Sequence, residues 1–228
     1  MLISVSLVFV AFLVTPTATA MATTTIYVEP QSIIMWMEEN FSVNITIANV
    51  VDLCGWDFKL YYSNSVLNGT SITEGSFLKT GGNTYFYMSN FTDAYNATHG
   101  LVRAVCTLFA PTGVNGGGDL AKISFKAKGF GKTLLGLTNT IIVDSAFPPN
   151  TIPHYEYDGW VVVPIPGDVN GDFAVDWQDL LVVLVGYGAT PADPRWELYN
   201  LERADFNCDN QIFWQDLLTV LVNYGKSA

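Results

Sequence analysis

Basic residues are scarce: 10 Lys and Arg stand against 21 Asp and Glu in 228 residues, a formal charge of −11. Such a chain has little with which to neutralise phosphates, which argues against nucleic acid as a partner. Histidine is almost absent. His99 and His154 have neither metal-ligand spacing nor a linked nucleophile, and both read as loop residues. There is no G-x-S-x-G motif and no Gly-rich phosphate loop. Acidic residues before position 164 are scattered, so no pair is marked out as glycosidase carboxylates facing across a cleft. No catalytic residue can be named, and the chain reads as a non-enzyme.

Long apolar runs are equally rare. The one at Leu2–Val14 is shorter than the roughly 20 residues a membrane span needs. Pro16 and small residues follow it, with cleavage candidates ending at Ala20 or Ala22, so residues 1–22 read as a secretory signal peptide. No Lys or Arg precedes the run, which leaves an uncleaved anchor as the other reading. The mature protein is expected to be exported and extracellular, without membrane insertion.

Charge divides what remains. Residues 1–163 carry 11 acidic and 7 basic side chains, and residues 164–228 carry 10 and 3. The boundary falls in "VVVPIPGD" (161–168), where Pro164, Pro166 and Gly167 interrupt any regular element. The expected units are a β-domain over 24–163, a linker at 164–166 and an acidic module over 167–226.

Period-two alternation dominates the first unit. Cys54, Trp56, Phe58, Leu60 and Tyr62 share one face of "CGWDFKLYYS". Phe41, Val43, Ile45 and Ile47 alternate with Ser42, Asn44 and Thr46, and Ala121, Ile123, Phe125 and Ala127 with Lys122, Ser124 and Lys126. Strands of this kind, separated by Gly- and Asn-rich turns, indicate an antiparallel β-sandwich.

The second unit repeats itself. "WQDLL" occurs at 177–181 and at 214–218, each time after an acidic loop and before an apolar run. A period of this size marks a duplicated supersecondary unit. In the first loop Asp168, Asn170, Asp172, Asp176 and Asp179 fall at positions 1, 3, 5, 9 and 12, with the Ala174 carbonyl at position 7. In the second, Asp205, Asn207, Asp209 and Asp216 fall at positions 1, 3, 5 and 12, with the Gln211 carbonyl at position 7. This is EF-hand spacing, and the hard oxygens suit Ca²⁺, so two calcium sites are expected. Val175 and Ile212, at position 8, are free to face a core. Position 6 ordinarily needs φ > 0, yet it is Phe173 in one loop and Asn210 in the other. The left-handed region costs Phe about 1–2 kcal/mol, too little to abolish a four-carboxylate site. The runs "LLVVLV" and "LLTVLV" are apolar nearly all round and call for two neighbours each. A sister helix supplies one. Residues 189–204 or a partner protein supply the other.

Two loop–helix repeats over Gly167–Tyr224 resemble a dockerin module. That resemblance implies a small all-α, calcium-dependent plug that docks into a cohesin through loop positions 10 and 11, here Trp177–Gln178 and Trp214–Gln215. The order of segments in residues 25–163 resembles the cohesin family: "IYVEP", then Trp-Asp-Phe-x-Leu-x-Tyr with Ser-Val-Leu, then a closing Thr-Asn-x-x-x-x-Asp. It implies a jelly-roll sandwich of about nine strands, related in fold to some carbohydrate-binding modules.

Two functions follow from these resemblances. One is an exported adaptor that joins cohesin- and dockerin-bearing proteins, in a setting such as polysaccharide degradation. The other is a carbohydrate-binding module tethered by its dockerin, which needs a flat row of exposed aromatics. Tyr61, Tyr85 and Tyr87 are candidates for that row, whereas Trp36, Trp56 and Trp160 read as core-directed or unassignable. Cys54 and Cys106 both have inward parity, as a disulfide or as buried thiols; Cys208 sits between ligands as a spectator or exposed thiol. Sequons begin at Asn40, Asn44, Asn68, Asn90 and Asn96, from glycosylation or from composition alone.

Overall fold

The computed structural model describes residues 23–228, so the signal-peptide reading of residues 1–22 lies outside the described residues. The first unit is a two-layer sandwich. Its strands are β1 (Thr25–Glu29), β2 (Ser32–Ile34), β3 (Asn40–Leu53), β4 (Gly55–Ser63), β5 (Leu67–Glu74) and β6 (Thr84–Thr92). They are followed by β7 (His99–Leu108), β8 (Val114–Ala127), β9 (Gly131–Val143), β10 (Tyr155–Tyr157) and β11 (Gly159–Val163). One sheet has the order β10-β1-β3-β8-β5 and the other β2-β11-β9-β4-β7-β6.

Alternation drives the layering. The inward residues Val43, Ile45 and Ile47 of β3, Phe58, Leu60 and Tyr62 of β4, and Ile123 and Phe125 of β8 are all buried in one core. Each such side chain contributes about 1.5–3 kcal/mol on leaving water. Tyr62 packs edge-on against Phe125 at 5.1 Å, and its hydroxyl donates to Asp93. On the outward parity, Asn44 and Thr46 donate to the Asp119 carboxylate across the sheet, each at 3.0 Å.

Eleven strands form where about nine are expected. The surplus includes β2 and β10, three residues each, which join the sheet edges in parallel to β11 and β1. Three residues are too few for a period of two to show. Cys54 and Cys106 are both unpaired thiols. Cys106 donates to Glu74 at 3.4 Å, and burial, with the Glu74 charge beside it, pushes its thiol up to about 12.

Three helices form the second unit: α1 (Trp177–Gly186), α2 (Pro194–Leu198) and α3 (Trp214–Asn223). Their core comprises Ile165, Val169, Val175, Val183, Ala189, Leu201, Ala204, Ile212 and Val220. Segment 164–166 is more than a tether, because Ile165 is buried in this core. Phe130 of the sandwich packs against both cores, with the Lys226 ammonium 5.6 Å from its ring. Among the described residues no helix is long and apolar enough to cross a membrane.

Candidate functional site

Loop one (168–179) and loop two (205–216) fold by the same local rules. A position-1 carboxylate gathers the amides that follow it. Asp168 accepts from Gly171, Asp172 and Phe173 at 2.7–3.2 Å, and Asp205 accepts from Asp209 and Asn210 at 3.1 and 2.8 Å. Position 5 accepts from position 7, Asp172 from Ala174 and Asp209 from Gln211, at 2.9 Å in each loop. Curling the chain so tightly requires left-handed backbone. Phe173 and Asn210 at position 6 have φ of 65° and 62°. Position 4 is left-handed too, at Gly171 (81°) and at Cys208 (56°). The sequence reading missed Cys208 as a strained residue.

Position 12 closes each loop from inside. Asp179 accepts from Val169 and Asn170 through Oδ1, at 2.8 and 3.1 Å, and from Asp176 through Oδ2 at 2.9 Å. Asp216 accepts from Phe206 and Phe213, both at 2.9 Å. Both carboxylates are wholly buried. Among the described residues, none of the salt bridges reaches a loop carboxylate. A buried carboxylate without a cationic partner is costly unless hydrogen bonds or a metal ion satisfy it, and here three amides serve Asp179 and two serve Asp216.

The residues fit a hard cation in donor chemistry: carboxylates, Asn amide oxygens and the Ala174 and Gln211 carbonyls, on loops already curled. The carboxylates nevertheless face backbone amides. Among the described residues no three Asp, Glu, His or Cys side chains gather as a metal cluster.

The two halves interlock. Val175, at position 8 of loop one, exchanges hydrogen bonds with the segment after α3 (Val175 N to Lys226 O, 2.9 Å; Gly225 N to Val175 O, 2.8 Å). Ile212, its counterpart in loop two, does the same with the segment after α1 (Gly188 N to Ile212 O, 2.8 Å; Ile212 N to Ala189 O, 3.1 Å). Each loop is therefore completed by the other half of the repeat.

Above the loops, Trp177 and Trp214 are each 60% exposed. They begin matching stripes, Trp177–Leu181–Leu184 on α1 and Trp214–Leu218–Leu221 on α3, each with about half its surface in water. The spacing i, i+4, i+7 puts each stripe on one helix face. Leu201 and the half-buried Trp196, from segment 189–204, join the helical core, but the stripes stay uncovered. The Gln partners differ: Gln178 Oε1 accepts from Asn170 at 3.2 Å, whereas Gln215 Oε1 is buried without a partner. The leucines extend the candidate surface beyond the two Trp-Gln pairs, and their recurrence in both repeats was the available signal.

The sandwich has a second apolar surface, on the outer face of the six-stranded sheet. Register aligns Ile141, Asp57, Val105 and Tyr87 across β9, β4, β7 and β6, with Val143, Gly55, Thr107 and Tyr85 beside them. Arg103 grips Asp57 with two hydrogen bonds. Tyr85 and Tyr87 are exposed here, but Tyr61 is half-buried and packs edge-on to Tyr95. Trp56 is buried as expected. Trp36 and Trp160 are not core-directed, being 54% and 42% exposed. Trp160 has outward parity on β11, with Lys132 stacked 4.2 Å over its ring, and Trp36 lies just past the short edge strand β2.

Residues 37–162 match the family model described as the cohesin domain. No curated protein matches the chain. Among solved structures, the chain is similar to a non-cellulosomal cohesin from Archaeoglobus fulgidus (19% identity, TM-score 0.51, covering 62% of this chain and 91% of that one). It is also similar to the seventh ScaB type I cohesin from Pseudobacteroides cellulosolvens (19%, 0.51, 62% and 92%). A chain of a type I cohesin–dockerin complex from Clostridium thermocellum matches as well (12%, 0.52, 62% and 99%). At these identities the likeness is one of fold. The acidic helical unit lies outside the family match.

Proposed function

The chain belongs to the cohesin family, and from that premise we propose that it is a non-catalytic adaptor of exported complexes with a docking surface at each end. Cohesin–dockerin pairing is what the Clostridium thermocellum complex holds. In this reading the sandwich receives a foreign dockerin, and residues 167–226 are a dockerin-like plug for a foreign cohesin. The observation that carries it is the duplicated stripe beginning at Trp177 and Trp214, exposed alike on α1 and α3. Polysaccharide breakdown is the setting proposed for such a complex.

Bound calcium would hold the proposed plug in register. Asp168, Asn170, Asp172, Asp176 and Asp179, with the Ala174 carbonyl, would hold one ion. Asp205, Asn207, Asp209 and Asp216, with the Gln211 carbonyl, would hold the other. Two ions would offset four of the seven surplus negative charges in residues 164–228, so binding energy becomes folding energy. The chain itself positions the tryptophans, because each position-12 carboxylate ties its loop to the helix that carries them.

Because the two stripes correspond, the plug presents nearly the same surface after a half-turn, and a cohesin could seat in either orientation. The test is circular dichroism and light scattering of the intact chain, in calcium and in chelator, with and without a cohesin-bearing protein from the same source. Helix content and complex mass that both rise with calcium support the proposal. Equal helicity in chelator rejects the calcium role, and mass that never rises with a cohesin rejects the docking role.

A further inference from the structure

The outer faces of the two sheets differ in chemistry. The six-stranded sheet exposes aliphatic side chains among its tyrosines, Ile141 being 49% exposed. Across the sandwich, β10 and β1 frame a groove of about 400 Å³ lined by Thr25, Tyr27, Glu29, Gln31 and Tyr157. That lining contains no aliphatic side chain.

Register accounts for the groove. Tyr27 pairs with Tyr157, and Thr25 with Tyr155, across the parallel β1/β10 edge. Ile26 and Val28 point into the core, so Thr25, Tyr27 and Glu29 point outward. Tyr27, half-buried, and Tyr157, 49% exposed, therefore stand side by side. Toward β3 the row continues through Asn44 and Thr46, the register partners of Glu29 and Tyr27.

We infer that this groove binds a neutral glycan chain. Ring faces of tyrosine attract the weakly positive C–H edges of a pyranose. Glu29 accepts from hydroxyls, Gln31 both donates and accepts, and the Thr25 hydroxyl does either. A few polar groups around aromatic walls is the usual composition of a small-ligand site. An anionic glycan meets the Glu29 carboxylate in a chain of net charge −11. The site is on the opposite sheet from Tyr85 and Tyr87 and needs neither loop, so it stands or falls apart from the docking proposal.

The experiment titrates the intact chain with cellohexaose, mannohexaose and chitohexaose, followed by calorimetry and tyrosine fluorescence, with polygalacturonate as the anionic comparison. Saturable binding of at least one neutral hexasaccharide is expected, weakened about tenfold or more by Tyr157→Ala and unchanged by Tyr87→Ala. Tyr27→Ala should act like Tyr157→Ala; if it fails to fold, the exposed Tyr157 carries the test, with Glu29→Gln as the second variant. Binding of none of the three, preference for polygalacturonate, or binding that survives Tyr157→Ala overturns the inference.

Discussion

Loop one and loop two curl the same way with different residues, and the differences separate what the loop geometry needs from what each copy adds. At position 9, Asp176 accepts from the Gln178 amide at 2.7 Å and caps α1. Phe213 has no acceptor for that task; its ring packs edge-on to Tyr187 at 5.8 Å. At position 4, glycine in one loop and Cys208 in the other take the same left-handed turn. Loop one therefore has more polar holding groups, and loop two replaces a cap with an aromatic contact. The shared elements are the carboxylates at positions 1, 5 and 12 and the Asn at position 3, whose Oδ1 accepts from the position-5 amide in each loop, and these are what the geometry requires.

Removing position 12 should have the largest effect. Asp179→Ala strands three amides and Asp216→Ala strands two, at about 1–3 kcal/mol for each group left unsatisfied. Urea denaturation in calcium, followed by helix circular dichroism, should show both variants severely destabilised and Asp179→Ala the worse. Equal losses would mean the extra amide of loop one is immaterial.

Docking comes next. If, as proposed, the helical unit seats in either orientation, replacing Trp177–Gln178 or Trp214–Gln215 alone by alanines should weaken cohesin binding only slightly, and replacing both should abolish it. Surface plasmon resonance distinguishes this from a fixed orientation, in which one single replacement equals the double.

A smaller effect is expected from relief of strain. Cys208→Gly removes a left-handed non-glycine turn and should stabilise loop two by about 1 kcal/mol, read as a tighter calcium midpoint by calorimetry. Gly171→Ala should weaken loop one by a similar amount, since its added Cβ would also meet the Arg203 guanidinium at 2.7 Å.

The smallest effect is chemical. Cys208 is exposed and should react first with iodoacetamide in the native chain. Cys106, held protonated until about pH 12, should stay unlabelled at pH 8 and react only as pH approaches that value or on unfolding. Labelling of Cys106 in the native chain at pH 8 would show that the sandwich opens.

Much of this was legible in the sequence where a repeating pattern was long enough to register. β3, β4 and β8 span 14, 9 and 14 residues, so their alternation identified the core faces. β2 and β10 were invisible, and Trp36 and Trp160 near these edges were misjudged as core-directed or unassignable. The loops were legible because oxygen-bearing residues recur at fixed offsets in two copies. Cys208 was not, since its left-handed φ is imposed by Asp205 gathering the Asp209 and Asn210 amides. Burial of Ile165 escaped because flanking prolines suggested a free linker. The Leu181 and Leu218 stripes were partly hidden, because helices apolar on every side do not reveal which side stays wet.

The exchange of tails between the two halves bears on how such a unit could arise. One repeat alone would leave Val175, or Ile212, without the segment that pairs with it. A chain carrying a single repeat could complete its loop only with a second molecule, each lending its tail to the other about a two-fold axis. Joining two repeats in one chain turns that bimolecular encounter into an intramolecular one, so the pairing no longer depends on concentration. In a dilute medium, a unit that carries both halves needs no second copy of itself to assemble.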